Sequence, residues 1–155
     1  MAKIGHGIQI ALSWVPASDG HVPHNAIKVD DHVYIARCKH ENYWIPGKVV
    51  PGHNSAYYGN GKAEISCKQY EVLCDSSFSD TKKCYEWEPD SDGKVPKNAI
   101  VAGMAGDTPI YIAKASVNGE VCIGKVHDGH KCAHLPWGRE EHEVHEYEVL
   151  VFKKK

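Results

Sequence analysis

The feature that most constrains this sequence is an internal duplication. Residues 14–27 read WVPASDGHVPHNAI, and residues 87–100, which begin 73 positions later (87 − 14), read WEPDSDGKVPKNAI. Both stretches contain, in the same order, a tryptophan, a proline, Ser-Asp-Gly, Val-Pro and Asn-Ala-Ile. Self-similarity of this kind means that one small module occurs twice, so any interpretation of secondary structure has to suit both copies.

Further matching blocks extend the duplication toward the end of the chain. Three blocks of the first copy, YIAR, IPGKV and YEVL, are matched 77 positions later (111 − 34) by YIAK, CIGKV and YEVL. The change of spacing from 73 to 77 indicates a four-residue difference in one loop, near residue 30 in the first copy and within 103–108 in the second. Loops accept such differences at little energetic cost.

The matching blocks predict the domain organisation. We expect a first repeat over residues 14–74, a linker over residues 75–86 and a second repeat over residues 87–152. A lobe of about 60 residues buries too little surface to be very stable alone. The two repeats are therefore expected to share one core.

The local patterns indicate β-strands rather than helices. Apolar residues nearly alternate over residues 4–15, which predicts a strand, and Asn118-Gly119 between two β-rich runs predicts a hairpin with a type I′ turn. Residues 52–61 and 128–138 are rich in turn residues and are expected to be loops. No window of a dozen residues has a helical period. The predicted fold class is all-β, with two pseudo-symmetric antiparallel lobes packed as one compact unit.

Charge and hydropathy exclude several classes of partner. The net charge of −2 gives no basic field for nucleic acid, and no apolar stretch reaches the ~20 residues of a membrane span. The first residues lack the apolar region and cleavage site of a signal peptide. We expect a cytoplasmic location at synthesis, so that reaching the cell exterior would need a non-classical route of release.

Six cysteines raise the question of disulfide bonds. Cys38 aligns with Ala115 in the other repeat, and Cys67 aligns with Val144. Because these partners are small or apolar, the thiols are expected to be reduced and to act as small core hydrophobes. If one disulfide forms, the expected pair is Cys74 and Cys84, which flank the linker.

The Ser-Asp-Gly turns are the first candidates for a binding site. Each turn, which holds Asp19 or Asp92, is followed by a strand that carries a cation, Arg37 or Lys114. A structural explanation is available, because aspartate caps such turns and glycine supplies a positive φ. In a functional explanation, a carboxylate beside a cation holds adjacent sugar hydroxyls by charge-assisted hydrogen bonds. The residues alone leave both explanations open, and either cation could instead form a plain surface salt bridge.

Aromatic residues are a weaker indication. Trp14 and Trp87 occupy equivalent positions, which favours core packing for both. Four other aromatic residues lie in or near the expected loops and could form a stacking wall for a sugar: Trp44, Tyr57, Tyr58 and Trp137. The glycines Gly47 and Gly124, which recur inside predicted strands, indicate a bulge or a close approach of another backbone.

Histidine and cysteine side chains provide the best candidate metal site. One expected loop contains His127, His130, Cys132 and His134. Imidazole and thiolate are the ligands that Zn²⁺ prefers, but the first copy offers only His53 there. The sequence HEVH at residues 142–145 resembles a zincin motif only superficially, because its histidines are three apart rather than four. We therefore expect no metal and no other cofactor.

Catalytic motifs give no positive indication. The sequence has no triad or Cys-His pair with a recognisable spacing. Asp90 and Asp92 lie two apart on a turn, which is weak support for acid–base chemistry. The protein is therefore predicted not to be an enzyme.

The blocks WVPASDGHVPHNAI, YIAR, IPGKV and YEVL together resemble the tandem repeats of the DM9 family, and the resemblance covers residues 14–152. That family includes a mannose-specific lectin of two repeats, in which an aspartate and a lysine grip the sugar hydroxyls. The resemblance places the aspartate at Asp19 and Asp92, and the basic residue at Arg37 and Lys114. Arg37 departs from the pattern, because a planar guanidinium replaces a point charge, which implies a weaker or differently selective first site.

The resemblance implies a function as well as a fold. It implies a calcium-independent lectin that recognises mannose or mannose-containing glycans, acts in innate recognition of microbes, and forms a homodimer. Linking several shallow sites would raise avidity, which suits such a role. The alternative is a non-catalytic structural or protein-interaction module that binds no sugar and whose Asp-Gly turns are architectural.

Overall fold

The computed structural model describes residues 2–4, 8–10, 12–75 and 84–153. These residues form sixteen β-strands and contain no helix. No helix with the length and hydropathy of a membrane span therefore occurs among them. The predicted all-β fold class is confirmed.

The strand bounds are as follows. In the first half they are β1 (Ala2–Ile4), β2 (Ile8–Ile10), β3 (Leu12–Ser18), β4 (Lys28–Asp30), β5 (Val33–His40), β6 (Tyr43–Val49), β7 (Ala56–Asn60), β8 (Ala63–Cys67) and β9 (Gln69–Asp75). In the second half they are β10 (Tyr85–Ser91), β11 (Val101–Ala105), β12 (Thr108–Val117), β13 (Glu120–His127), β14 (Ala133–Trp137), β15 (Glu140–Val144) and β16 (Glu146–Phe152).

The order of the strands reflects the duplication. Strands β3 to β16 form one antiparallel sheet of 14 strands, with the order β10-β16-β12-β13-β14-β15-β8-β7-β6-β5-β9-β3 and with β11 and β4 attached to β12 and β5. The order within one repeat is the mirror of the order within the other. The repeats join where Glu140 of β15 pairs with Ala63 of β8. Most of the predicted linker, residues 76–83, lies outside the described residues.

The start of the chain differs from its prediction. A single strand was expected over residues 4–15, but β1 and β2 form a separate two-stranded sheet and β3 begins only at Leu12. Strand β3 then continues through Pro16. A proline is accepted there because β3 is the last strand of the sheet, with one edge that needs no ladder hydrogen bonds. Pro89 occupies the same place in β10 at the opposite edge.

The hairpins account for the turn residues. Asn118 and Gly119 have φ values of 51° and 83°, which confirms the predicted type I′ turn. The loops predicted at 52–61 and 128–138 are wrong in part, because each contains a strand, β7 or β14. Gly52, Gly61, Gly129 and Gly138 have positive φ values and lie in the turns that flank those strands, whereas Gly59 lies within β7. The turn composition therefore concealed short strands that are defined by pairing with their neighbours.

The four extra residues of the second repeat lie in a hairpin rather than in a loop. Strand β11 has two residues more than β4, and β12 begins two positions earlier than β5 relative to the repeat. The lengthened β11 packs against the first repeat. A Cβ on Gly103 would lie only 2.2 Å from the carbonyl oxygen of Trp44 in β6, so glycine permits this approach.

Within the described residues the hydrophobic core has three parts. One part belongs to both repeats and is built from Ile27, Val33, Ile35, Leu73, Ile100, Ala102, Ile112, Ile123 and Leu150. Trp14 and Trp87 pack against it, as predicted. Two further clusters fill the individual lobes. The expected shared core is thus confirmed, and burial of its large aliphatic side chains stabilises the two repeats as one unit.

One disulfide bond contradicts the expectation of reduced thiols. Cys38 of β5 is bonded to Cys67 of β8, with their Cα atoms 6.6 Å apart. Strands β5 and β8 are three positions apart in the sheet, about 14 Å in a flat sheet at the usual spacing, so the first lobe is strongly curled. Alignment with Ala115 and Val144 could not reveal this proximity. Cys74 and Cys84, the pair favoured by the sequence, are not in a disulfide.

Close backbone contact explains the glycines that recur within β6 and β13. A Cβ on Gly47 would lie 2.0 Å from the carbonyl oxygen of Tyr57, and one on Gly124 would lie 2.3 Å from that of His134. Neither position carries a bulge. Of the two predicted explanations, the close approach is the one observed.

Two lysines that follow these glycines connect the repeats. Lys48 donates a hydrogen bond to the carbonyl oxygen of Pro136 at 2.7 Å and lies 3.3 Å from Glu64. Lys125 donates to the carbonyl oxygen of Gly59 at 3.0 Å and lies 3.2 Å from Glu141. We call Lys48, Glu64, Lys125 and Glu141 the lysine–glutamate junction. Each lysine reaches a carbonyl of the other repeat, and all four side chains are at most 12% exposed.

Backbone groups complete the junction with the same symmetry. The N–H of Lys62 donates to the Glu141 carboxylate at 3.1 Å, and the N–H of Arg139 donates to the Glu64 carboxylate at 2.9 Å. Glu64 and Glu141 in turn donate their own N–H groups to the carbonyls of Arg139 and Lys62. The turns of β7–β8 and β14–β15 are therefore held against each other by paired bonds.

We predict that Lys125→Met lowers the free energy of unfolding by about 3–5 kcal/mol, because it leaves the buried Glu141 carboxylate without its counter-charge. Urea denaturation measures the change. Lys97→Met, which alters an exposed lysine, is the control and should change the value by no more than about 0.5 kcal/mol. Equal stability of the two variants would contradict a structural role for the junction.

Candidate functional site

An open cleft in the second repeat brings together two of the predicted binding residues. Its volume is about 710 Å³, and both Asp92 and Lys114 line it. The other polar side chains of its wall are Asp90, Ser91, Ser116, His145, Glu146, Tyr147 and Glu148. The cleft is therefore rich in hydrogen-bonding groups, with four carboxylates and one lysine.

Asp92 is held by the turn that follows β10. Asp92 and Gly93 have φ values of 55° and 82°, and the N–H of Asp92 donates to the carbonyl oxygen of His145 at 2.9 Å. A Cβ on Gly93 would lie 1.6 Å from the carbonyl oxygen of His130, so only glycine fits. The structural explanation therefore applies to the glycine and to the backbone of the turn. The Asp92 carboxylate nevertheless remains 65% exposed, 3.4 Å from the His145 ring.

Lys114 lies on β12 at the floor of the cleft. Its ammonium is 4.6 Å from the centre of the Trp87 ring and 3.2 Å from a carboxylate oxygen of Glu148. Lys114 and Glu148 face each other across β12 and β16. The lysine side chain is 21% exposed and that of Glu148 is 44% exposed. The pair thus presents a donor and an acceptor side by side at the surface.

Tyr147 supports the turn from inside the cleft. Its hydroxyl donates to the carbonyl oxygen of Lys94 at 2.8 Å. Burial raises the pKa of Tyr147 to about 12, so it remains a neutral phenol at physiological pH. Tyr70 makes the same hydrogen bond to His21 in the first repeat. This tyrosine therefore fixes the Asp-Gly turn in both repeats.

The first repeat has a smaller cleft with different contents. Its volume is about 480 Å³, and its wall consists of Pro16, Ala17, Ser18, Lys39, Trp44, Gln69, Tyr70 and Glu71. Neither of the predicted residues Asp19 and Arg37 is among them. Asp19 is exposed and adjoins the cleft through Ser18, on a turn with a φ of 56°. Lys39 lies 5.0 Å from the Trp44 ring. In the second repeat the equivalent positions hold Ser116 and Val121.

Arg37 is occupied within the protein. Its guanidinium donates twice to Glu71, at 2.9 and 2.5 Å, and once to the carbonyl oxygen of Ala102 at 2.9 Å. The central carbon of the Arg37 guanidinium lies 4.4 Å from the centre of the Trp14 ring and 4.5 Å from the centre of the Trp44 ring. Since Ala102 belongs to the second repeat, Arg37 connects the two repeats. The equivalent residue Lys114 makes no such connection in the described contacts.

The other aromatic candidates are separated by the fold. Trp44 lines the first cleft, whereas Tyr58 is buried in the core of the first lobe. Tyr57 lies against His53, and Trp137 donates its indole N–H to Glu120 at 2.7 Å. The predicted stacking wall is therefore reduced to Trp44.

The candidate metal residues of the second repeat form a cluster. His127 and His130 are stacked with ring centres 4.5 Å apart, and His134 lies 6.0 Å from His130. Burial lowers the pKa of His127 to about 4 and also lowers the pKa of His134, so both rings are neutral at physiological pH. Burial raises the pKa of Cys132, which disfavours a reactive thiolate.

Glu71 and Glu148 were not predicted from the sequence as site residues. Glu71 is the direct cross-strand neighbour of Arg37, and Glu148 is that of Lys114. Each glutamate forms an ion pair with its cation, whereas the aspartate of the turn was expected to be the carboxylate beside that cation. The available signal was the repeated YEVL block, in which the glutamate is the only ionisable side chain besides tyrosine. Lys39 was not predicted either. Its equivalent in the second repeat is Ser116, so the duplication gave no signal at this position.

We predict that Arg37→Met lowers the free energy of unfolding by about 2–4 kcal/mol, because Glu71 and the Ala102 carbonyl lose their partner. The matched control is Lys114→Met, which should cost no more than about 1 kcal/mol because Glu148 is partly solvated. Urea denaturation of both variants measures the difference. An equal loss in both would show that the two cations have equivalent structural roles.

Comparison with known proteins identifies the family. Natterin-4 of Thalassophryne nattereri is 31% identical over 146 residues, which cover 90% of this chain and 33% of Natterin-4. Natterin-3 of the same organism is 34% identical over 97 residues, covering 63% of this chain and 24% of Natterin-3. This chain therefore spans a third or less of the length of these relatives.

A solved structure shows the same fold. The nematode sperm cell motility protein MFP2B superposes with a TM-score of 0.66 over 92% of this chain and 45% of that chain, at 16% sequence identity. A family model described as the DM9 repeat matches residues 28–144. Because this match covers more than half of the chain and both structural repeats contribute to it, the chain belongs to the DM9 repeat family.

Proposed function

We propose that this protein is a non-enzymatic lectin that binds mannose-type glycans, without calcium, in the cleft of the second repeat. The observation that carries the proposal is the Lys114–Glu148 pair, which lies at the surface of an open polar cleft beside the exposed Asp92 turn. The chain belongs to the DM9 repeat family. The resemblance to this family implies a mannose lectin, which supports the same conclusion.

The chemistry of the pair suits a sugar diol. A hydroxyl both donates and accepts, so two adjacent hydroxyls can accept from the Lys114 ammonium and donate to a carboxylate. Lysine has three N–H donors, and Glu148 occupies one direction. Asp92 offers a second carboxylate on the same cleft wall. Such charge-assisted hydrogen bonds are roughly twice as strong as neutral ones, which compensates for the openness of the site.

The first repeat has less support as a mannose site. The three hydrogen bonds of Arg37 are made within the protein, and neither Arg37 nor Asp19 lines the first cleft. Lys39 and Trp44 make that cleft a different surface, with an aromatic face beside an exposed ammonium. We therefore assign mannose recognition to Asp92, Lys114 and Glu148, and expect any sugar binding in the first repeat to differ in selectivity.

Calorimetric titration with mannose in the presence of EDTA tests the proposal. We expect binding near the millimolar range, typical of one shallow site, with little heat from galactose. Lys114→Met should abolish the heat, because it removes the donor and keeps the apolar stem over Trp87. Asp92→Asn should weaken binding while keeping the turn, since asparagine accepts a positive φ.

Asp19→Asn is the matched control in the other repeat, and it should leave the mannose titration unchanged. Heat that persists in Lys114→Met would move the site elsewhere. Heat that requires calcium, or that is equal for galactose and mannose, would exclude the proposed specificity.

We also propose that the chain forms a homodimer, since two linked copies of a shallow site raise avidity for a glycan-covered microbial surface by ~10²–10⁴. Sedimentation equilibrium would then give twice the chain mass of 17.2 kDa. A monomer at all concentrations used for agglutination of mannan-bearing cells would contradict this arrangement.

A second candidate function is a structural or protein-interaction module. The positive φ values of both Asp-Gly turns, and the close approach of Gly20 to His53 and of Gly93 to His130, favour it, because they explain the turns without a ligand. The absence of any mannose heat from the folded wild-type protein would favour this function over the lectin.

A further inference from the structure

We propose that Cys132, His134 and Glu143 form a binding site for Zn²⁺ on the second repeat. The ligand atoms of these three residues, one from each side chain, lie within 4.8 Å of one another. The sequence predicts no metal site with Glu143, because the HEVH stretch at residues 142–145 lacks the histidine spacing of a zincin motif. The proposal depends on these three residues and does not depend on sugar binding.

The sheet places the three side chains on one face. Cys132 immediately precedes β14 and His134 lies two residues further along it, so both side chains point to the same side. Glu143 of β15 is the direct cross-strand neighbour of His134. The three ligands are therefore positioned by a regular hairpin, which holds a metal site more precisely than a loop does.

The observed distances are close to those of a zinc centre. The sulfur of Cys132 lies 3.8 Å from the Nε2 atom of His134, which lies 3.9 Å from a carboxylate oxygen of Glu143. With usual Zn–S and Zn–N lengths, tetrahedral coordination separates sulfur and nitrogen by about 3.6 Å, and nitrogen and oxygen by about 3.3 Å. Small rotations of these side chains would therefore bring all three onto one ion.

Charge and exposure favour an open site. A thiolate and a carboxylate together neutralise Zn²⁺, while the imidazole binds as a neutral ligand. Cys132 is 4% exposed, whereas the Glu143 side chain is 69% exposed. The cluster is thus closed on its protein side and open to solvent at the carboxylate. We infer three protein ligands and water in the fourth position, an arrangement known for zinc.

The first repeat serves as an internal control. At the spacing of 77, Ser55, Tyr57 and Ser66 occupy the positions of Cys132, His134 and Glu143, and Tyr57 pairs with Ser66 as His134 pairs with Glu143. The fold therefore accepts non-ligating side chains at all three places. The ligand set belongs to the second repeat alone and is not required by the architecture.

Titration of the full chain with Co²⁺, and with Zn²⁺ in competition, tests the proposal. The wild type should bind one Co²⁺ with a thiolate-to-metal charge-transfer band, which one equivalent of Zn²⁺ displaces. Cys132→Ser should abolish the band. His134→Tyr and Glu143→Ser should each weaken Zn²⁺ binding by roughly tenfold or more. His53→Ala, which removes an exposed histidine of the first repeat, should have no effect.

Circular dichroism of each variant separates loss of binding from loss of folding. If Cys132→Ser fails to fold, Glu143→Ser still provides the test, because that side chain is mostly exposed. A wild-type protein that shows no charge-transfer band would overturn the proposal. So would a band that survives in Cys132→Ser, or Zn²⁺ affinity that His53→Ala reduces as much as His134→Tyr does.

Discussion

The lysine–glutamate junction is the interaction on which the rest of this architecture depends. Its lysines each pair with a glutamate of their own repeat and donate to a carbonyl of the other, in a largely buried setting. Burying such charges is costly unless every polar partner is present, and here the partners come from both repeats. A single repeat would expose the junction and the shared core together. The two repeats therefore depend on each other to bury the junction and the shared core.

Arg37 and Lys114 occupy equivalent positions in the two repeats but make different contacts. Lengthening of the β11–β12 hairpin brings Ala102 and Gly103 against the first repeat, where Arg37 donates to the Ala102 carbonyl. Without an equivalent extension of β4, Lys114 keeps only Glu148 and the Trp87 ring as described partners. Four residues in one hairpin thus convert one cation into a structural connection and leave its counterpart accessible from a cleft. The asymmetry of the candidate site follows from this local difference.

Sequence reasoning succeeds here where a local rule decides the outcome. The duplicated blocks predict the two lobes, Asn118-Gly119 predicts its turn, and the close backbone approach at Gly47 is one of the two alternatives that its position in a strand predicts. It fails where three-dimensional proximity decides. The pairing of Cys38 with Cys67 depends on the curl of the first lobe, and the ion pairs of Glu71 and Glu148 depend on strand register. Neither curl nor register can be derived from the spacing of residues along the chain.

The chain segment that leads to the candidate metal residues is packed against the turn that lines the candidate sugar cleft. The turn that holds Asp92 is packed through Gly93 against the His130 carbonyl, in the segment that leads to Cys132 and His134. The first repeat preserves this contact between Gly20 and His53, although it lacks the three ligands. The packing of the Asp-Gly turn against this segment is therefore common to both repeats, whereas the three candidate metal ligands occur only in the second repeat. An ion bound there would restrain the segment against which the Asp92 turn rests, so that the order of the cleft wall would depend on the state of the hairpin behind it.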